Sequence, residues 1–157
     1  MSDEAAATEK PRGQFGLQRI YVKDLSFESP ASPAVFTQEW KPETNVQFGT
    51  AMAKVGEHQY EVVLQVTATV RNGSNVAFIA EVKQAGIFHA EGLEGEALER
   101  LLGAQCPSIL FPYAREVVSD LVARGTFPQL LLQPMNFDAV FAEAKRRAQQ
   151  PPATPAH

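Results

Sequence analysis

One cysteine, Cys106, stands in the whole chain of 157 residues. It has no partner for an internal disulfide and no second thiol for a cysteine-rich metal site, which fits a reducing compartment. Histidine is nearly as scarce. His58, His89 and His157 are far apart, and none stands at metal-ligand spacing to another histidine or to Cys106. A phosphate-cradling glycine loop, a G-x-S-x-G elbow and an H-E-x-x-H pair are all missing. Enzymatic chemistry is left with His89 beside Glu91 and Cys106 beside Pro107, neither of which has a catalytic partner in the pattern. No apolar run approaches the ~18 residues of a membrane span. The first residues, MSDEAAATEKPRG, are acidic and polar where a secretory signal needs an apolar core, so a cytoplasmic protein without direct membrane insertion is expected. Positive charge is in deficit: 14 Lys and Arg against 18 Asp and Glu leave a net charge of −4. That balance offers no general attraction to nucleic acid or an anionic membrane, and suits a basic partner.

What is present suits one globular domain, since 45% of the residues are hydrophobic and 20% charged. The organising stretch is Ser108 to Arg124, SILFPYAREVVSDLVAR. On a helix, Leu110, Phe111, Ala114, Val117, Val118, Leu121 and Val122 fall within an arc of roughly 140°. Arg115, Glu116, Ser119, Asp120 and Arg124 take the other side, with Asp120 four residues before Arg124 in the favourable order for an ion pair. Pro107 and Pro112 are expected near the helix start, and Gly125 is expected to supply a positive φ at its end. An apolar arc this wide can serve two surfaces, its own sheet and a neighbouring subunit, and Leu110, Ala114, Val117 and Leu121 are the candidates for the second.

Four strands precede the helix. Phe15, Leu17, Tyr21, Leu25 and Phe27 share one parity, with Ile20 and Val22 on the other, as in a long strand whose faces a bulge can mix. Val46, Phe48 and Met52 alternate in the second strand, Tyr60 to Val70 in the third, and Val76 to Phe88 in the fourth. The third and fourth both carry their apolar residues at even positions, and a two-residue Asn-Gly turn would pair even with odd. A three-residue loop, Asn72, Gly73 and Ser74, is therefore expected. The odd face, with Glu61, Gln65, Thr67, Thr69, Arg71, Glu81 and Lys83, should be mostly solvated. Asn72-Gly73-Ser74 also matches a glycosylation acceptor, which a cytoplasmic protein would not use.

Between the first two strands, SPASPAVFTQEWKPE carries three prolines and is too long for a hairpin, so it reads as a crossover. Phe36 and Trp40 within it either staple the loop to the core or line a binding groove. A short helix with Leu98, Leu101 and Leu102 on one side should stop at Gly103. After the long helix, TFPQLLLQPMNF is unusually apolar for a connection, and Asn136 caps a last helix whose apolar side is Phe137, Val140, Phe141 and Ala144. Apolar side chains on proline-rich connections repack around varied partners, or they fill a core or a subunit interface; composition leaves both readings open.

Longer motifs carry a resemblance. QRIYVKDLSFE from Gln18, VFTQEWKP from Val35, YEVVLQVT from Tyr60, GIF at Gly86, CPSILFPYARE from Cys106 and RGTFPQLLLQPMNFDAVF from Arg124 together resemble the SecB protein-export chaperone family, from about Phe15 to Phe141. The resemblance implies an α+β subunit: a four-stranded antiparallel sheet with a long crossover after the first strand, covered by a long helix and a shorter C-terminal helix. It implies a cytosolic homotetramer, a dimer of dimers with the long helices central and the sheets outside. It also implies ATP-independent holding of unfolded secretory precursors, their delivery to the SecA motor ATPase, and no cofactor. The chain then divides into a disordered arm at 1–13, the chaperone domain at 14–148 and a disordered tail at 149–157, whose Pro/Ala-rich composition departs from the polar ends of relatives.

Under that resemblance a client groove is expected between the crossover, with Phe36 and Trp40, the strand residues Val46 and Phe48, and the last connection and helix, with Phe127, Leu130, Leu132, Met135, Phe137 and Phe141. Asp24, Glu28, Ile79 and Glu81 match the family's acidic SecA-docking sheet surface, and the odd parity of Ile79 and Glu81 agrees with an outward position. Phe78, Ala80, Val82 and Gln84 match positions linked in the family to subunit assembly. The alternative is a SecB-like chaperone dedicated to one partner, such as an antitoxin.

Overall fold

The computed structural model describes residues 13–150. The expected arm and tail therefore lie, but for Gly13, Gln149 and Gln150, outside the described residues. Strands β1 (Gln14–Glu28), β2 (Pro42–Lys54), β3 (Gln59–Asn72) and β4 (Asn75–Glu91) form one antiparallel sheet in the order β1-β4-β3-β2. Because β1 and β2 occupy opposite edges, the connection between them must span the sheet, as its length and prolines suggested. A 3-10 turn, Ala34–Thr37, anchors it through the buried Val35.

Even positions of β3 and β4 face the helices and are buried: Val62, Leu64, Val66, Ala68, Phe78, Ala80, Val82 and Phe88. The hairpin preserves that parity by a different device from the expected three-residue loop. Asn72 pairs Asn75, so the turn is two residues, Gly73 and Ser74, with Gly73 at φ +64°. A bulge then restores even-to-even pairing, Arg71 opposite Val76 but Val70 opposite Phe78. Asn72 is buried and holds the crossover: its Oδ1 accepts from the Lys41 N–H at 2.8 Å and its Nδ2 donates to the Glu39 carbonyl at 3.0 Å. Asn72→Ala removes both bonds and should lower the unfolding free energy by about 2 kcal/mol in urea titrations. Hydrogen exchange should then accelerate selectively around Glu39 and Lys41.

β1 corrects the simple parity reading. Register shifts between Leu17 and Arg19 and between Val22 and Asp24 mark two bulges. They put Phe15, Leu17, Ile20, Val22, Leu25 and Phe27 opposite even residues of β4, on the helix side, and Tyr21 opposite Ala85 on the outer face. Ile20 and Val22 thus share the face that sequence parity denied them.

The helices run nearly without interruption: α1 (Gly95–Arg100), a π turn (Leu101–Gln105) and α2 (Cys106–Arg124). Gly103 does not stop a helix. It sits in the π turn, where an added Cβ would come within 2.7 Å of the Phe141 ring. The π turn precedes Pro107, which lacks an N–H and needs room at the carbonyl four residues back; here the Cys106 N–H reaches Leu101 instead. Pro112 lies inside α2 rather than at its start. Gly125 has φ −77°, and the positive φ belongs to Thr126 at +62°. Gly125 is required by contact instead, since a Cβ there would clash with Phe27 Cζ. α3 (Phe137–Gln149) is capped as expected, with Asn136 Oδ1 accepting from the Ala139 N–H at 3.0 Å.

α2 packs across β3 and β4. Leu110, Ala114, Val118 and Val122 have no exposure, and each large one contributes about 1.5–3 kcal/mol by burial. This corrects the interface assignments. Phe78, Ala80, Val82, Gln84, Leu110 and Ala114 are 0–3% exposed in a single chain, so they are sheet-helix core and have no surface for a second copy. Leu121 retains 9%, and Val117 alone of the set is appreciably open. One stretch of uncovered apolar surface lies on β1, where Phe15, Leu17, Val22 and Leu25 are 40–47% exposed.

Candidate functional site

An aromatic cluster is built around Phe127, the first residue after the turn that ends α2. Its ring centroid lies 4.8 Å from Phe78, 5.3 Å from Phe36, 5.7 Å from Trp40 and 6.3 Å from Phe27. The crossover thus delivers two rings, β1 and β4 one each, onto one buried hub. A second cluster joins Phe48 of β2, Phe111 of α2 and Phe137 of α3 at 6.0–6.3 Å. The connection from Phe127 to Phe137 spans the two clusters.

The expected groove residues divide by depth. Phe127, Leu132 and Phe137 are buried by their own chain, at 3–7% exposure, so they form the floor and offer almost no contact surface. Phe36 is 52% exposed, and Trp40, Val46, Phe48, Leu130 and Met135 are partly open against the core. Phe141 packs against Gly103 and lines a separate depression between α1 and α3, with Glu96, Arg100 and Lys145. Leu131, 62% exposed, and Met52, 47% exposed, extend the apolar surface; neither was singled out from sequence, although Leu131 is the one leucine of its triplet with outward alternation.

The opposite face of the sheet is polar. Register places Asp24 beside Lys83, Ser26 beside Glu81 and Glu28 beside Ile79, so Asp24, Glu28, Ile79 and Glu81 share one outer surface. Glu81 accepts from Gln65 at 3.2 Å and Thr67 at 3.4 Å on β3. Asp24 and Glu28 enter no ion pair with any described residue. At the other end of this face, Glu61 accepts from the Tyr21 hydroxyl and from Lys23 Nζ at 2.7 Å, tying β1 to β3 across β4. Hydrogen bonds from Lys23, then Tyr21, hold the Glu61 carboxyl below its ordinary value of 4.5. Burial, followed by the bond to Glu61 and its charge, pushes the Tyr21 hydroxyl from 10 up to about 12. Stability from Glu61 is therefore present above its unfolded value near 4.5 and lost as pH falls through the depressed folded value. That from Tyr21 is present below pH 10 and lost between 10 and 12. Glu61→Gln should cost about 1–2 kcal/mol at pH 7 in urea titrations, with variant and wild type converging as pH falls through the depressed carboxyl value.

The residual catalytic candidates are brought together only weakly. Glu91 receives His89 at 3.3 Å and His58 at 3.8 Å, and no group of three or more metal-ligating residues assembles among the described residues. Cys106 is buried, and burial pushes its thiol up to about 12, the opposite of an activated nucleophile. No described helix is long and apolar enough to cross a membrane.

The family model for preprotein translocase subunit SecB matches residues 7–148. The chain belongs to the SecB family. It is 53% identical over 156 residues to the protein-export protein SecB of Hahella chejuensis, covering 99% of this chain and 97% of that one. It is 51% identical over 150 residues to that of Marinobacter nauticus, covering 95% and 91%. Among solved structures, the SecB-like chaperone Rv1957 of Mycobacterium tuberculosis, in complex with a ChAD peptide from the Rv1956 HigA1 antitoxin, superposes with a TM-score of 0.61 at 19% identity. It covers 77% of this chain and 90% of its own. That likeness establishes the shared SecB fold, sheet and helices alike.

Proposed function

We propose that this chain is an export chaperone that holds unfolded secretory precursors in the cytosol, without ATP or a cofactor, and passes them to SecA. The observation that carries the reading is the open aromatic surface, Phe36 and Trp40 packed at a tilt on a buried Phe127, continuing past Phe48 to the apolar connection. Such a surface gains area from any extended apolar segment and sets no strict sequence demand. A folded protein presents no such segment, and a chain that folds fast buries its own before capture. The work is binding rather than turnover. Asp24, Glu28, Ile79 and Glu81, acidic with one apolar side chain among them, form the docking surface for a basic region of SecA.

The working unit on this reading is a homotetramer. The half-exposed Val22 and Leu25 of β1, with Val117 and Ala123 of α2, line an open cleft, shared with the polar Glu116, Ser119 and Asp120, that a second copy covers. The dedicated-partner alternative is not favoured, since relatives named for protein export are about half identical over nearly the full length, against 19% for the antitoxin-bound chaperone.

Light scattering tests this directly, on the protein alone and mixed with a slow-folding precursor diluted from denaturant. The expected mass is about four chains, rising with the unfolded client and unchanged by the folded one. Trp40 is the only tryptophan, so emission should also shift when a tryptophan-free client binds. A monomer indifferent to unfolded chains would sink the proposal.

A further inference from the structure

The outer face of the sheet carries a second sign of charge beside its acidic surface. A hollow of about 240 Å³ opens over Val63, between Gly49 and Ala51 of β2, Gln65 of β3 and the two lysines Lys23 and Lys83. The lysines differ in what they hold. Lys23 Nζ is taken by Glu61 at 2.7 Å. Lys83 enters no ion pair with any described residue, although register sets Asp24 directly beside it. Opposite charges facing each other across two strands ordinarily stabilise a sheet. Here that contact is not made, so both charges stay available, Asp24 to a cation and Lys83 to an anion.

Gly49 points the same way. A Cβ there would meet only Gln65 Cβ, at an ordinary 3.9 Å, so packing within the chain does not require glycine. A glycine in a strand interior weakens the strand, and where its own neighbours leave room it fits the close approach of a group from outside. The missing side chain leaves the hollow open. On the same face Glu81 is held in place by Gln65 at 3.2 Å and Thr67 at 3.4 Å, and Gln65 is itself a wall of the hollow. Glu81 and Lys83 lie two residues apart on β4, both outward, at about 7 Å along the strand. A purely acidic surface attracts a basic segment in any register, whereas opposite charges at a fixed spacing also orient it.

We propose that the docking surface is bipolar: basic residues of the partner meet Asp24, Glu28 and Glu81, and an acidic side chain beside them enters the hollow, its methylenes over Val63 and its carboxylate on Lys83. The inference rests on the SecA docking reading above and adds an anion-recognising subsite to it. The charges on the two sides then match in both signs, which fixes the direction in which the partner lies across the strands.

The test turns on the sign of one substitution. On a surface that works by negative charge alone, Lys83→Glu makes the face more acidic and tightens a basic partner. On a bipolar surface it repels the partner's carboxylate. Calorimetric titration of purified SecA into the full-length protein should show Lys83→Glu weakening binding about five- to tenfold and Lys83→Gln about two- to threefold, with Glu81→Lys, the control for the acidic part, weakening it at least about tenfold. Affinity in Lys83→Glu equal to or above that of the wild type overturns the proposal while docking stands. Should Lys83→Glu not fold, Lys83→Gln decides alone, and full affinity there overturns the proposal equally. If the wild type does not bind SecA, or Glu81→Lys binds as tightly as the wild type, the docking reading fails and the subsite with it.

Discussion

Phe127→Ala is expected to lower the unfolding free energy by about 3–5 kcal/mol, the range for deleting a buried ring whose cavity cannot collapse. Collapse is blocked because the four neighbours come from three separate elements: Phe27 from β1, Phe78 from β4, and Phe36 and Trp40 from the crossover. Each is anchored by its own backbone and cannot follow the others inward. Phe36→Ala should behave in the opposite way. Its ring is half exposed, so the same truncation should cost under about 1 kcal/mol of stability while weakening client binding severalfold. Urea titration and client affinity on the two variants separate floor from contact surface. If Phe36→Ala destabilised as much as Phe127→Ala, the division of the groove by depth would be wrong.

That division explains which parts of the molecule were legible in the sequence. Strand existence, the even covered face of β3 and β4, and the crossover followed from parity and proline density, because those signals are local. The hairpin device was not local. Parity required even-to-even pairing, but a three-residue loop and a two-residue turn with a bulge both satisfy it, and the choice fell to Asn72, whose side chain is taken by Lys41 and Glu39 some thirty residues earlier. The two bulges of β1 were hidden for a similar reason: their effect appears only in the register against β4.

Glycines and apolar residues misled in a consistent direction. Gly103 and Gly125 look like helix terminators when read along the chain, yet both are small because a ring arrives from elsewhere, Phe141 on one and Phe27 on the other. Likewise an apolar position in a motif does not say whether its surface is spent inside the subunit. Phe127 and Phe36 are equally aromatic and each stands near a proline, yet tertiary packing buries one and leaves the other half exposed. Phe78, Ala80, Val82 and Gln84, expected at a subunit interface, fall under the same rule. They have no surface of their own and pack between the sheet and α2.

The docking of α3 gives a second large effect, and here magnitudes decide between two explanations. Arg100 to Asp138 at 3.1 Å, and Lys145 to Glu96 at 3.0 Å and Glu99 at 3.8 Å, tie α3 to α1 by charge. These groups are mostly solvent-exposed, and exposed pairs contribute about 0–1 kcal/mol each, less in salt. The apolar contacts are stronger: Phe137 sits in the ring cluster with Phe48 and Phe111, and Phe141 lies directly on Gly103. Val140 and Ala144 remain exposed, so α3 is held by two rings rather than a full apolar face. Gly103→Val should therefore force Phe141 off its seat at a cost of about 1–3 kcal/mol, with amide exchange in α3 accelerating toward the unfolded rate while β3 and β4 stay protected. Raising salt to 0.5 M should leave that exchange nearly unchanged in the wild type. The reverse pattern, release by salt and tolerance of valine, would make the ion pairs the true tether. Because α3 begins at Phe137, its undocking also loosens the far end of the groove floor, so client affinity should fall with exchange protection rather than with the lost charges.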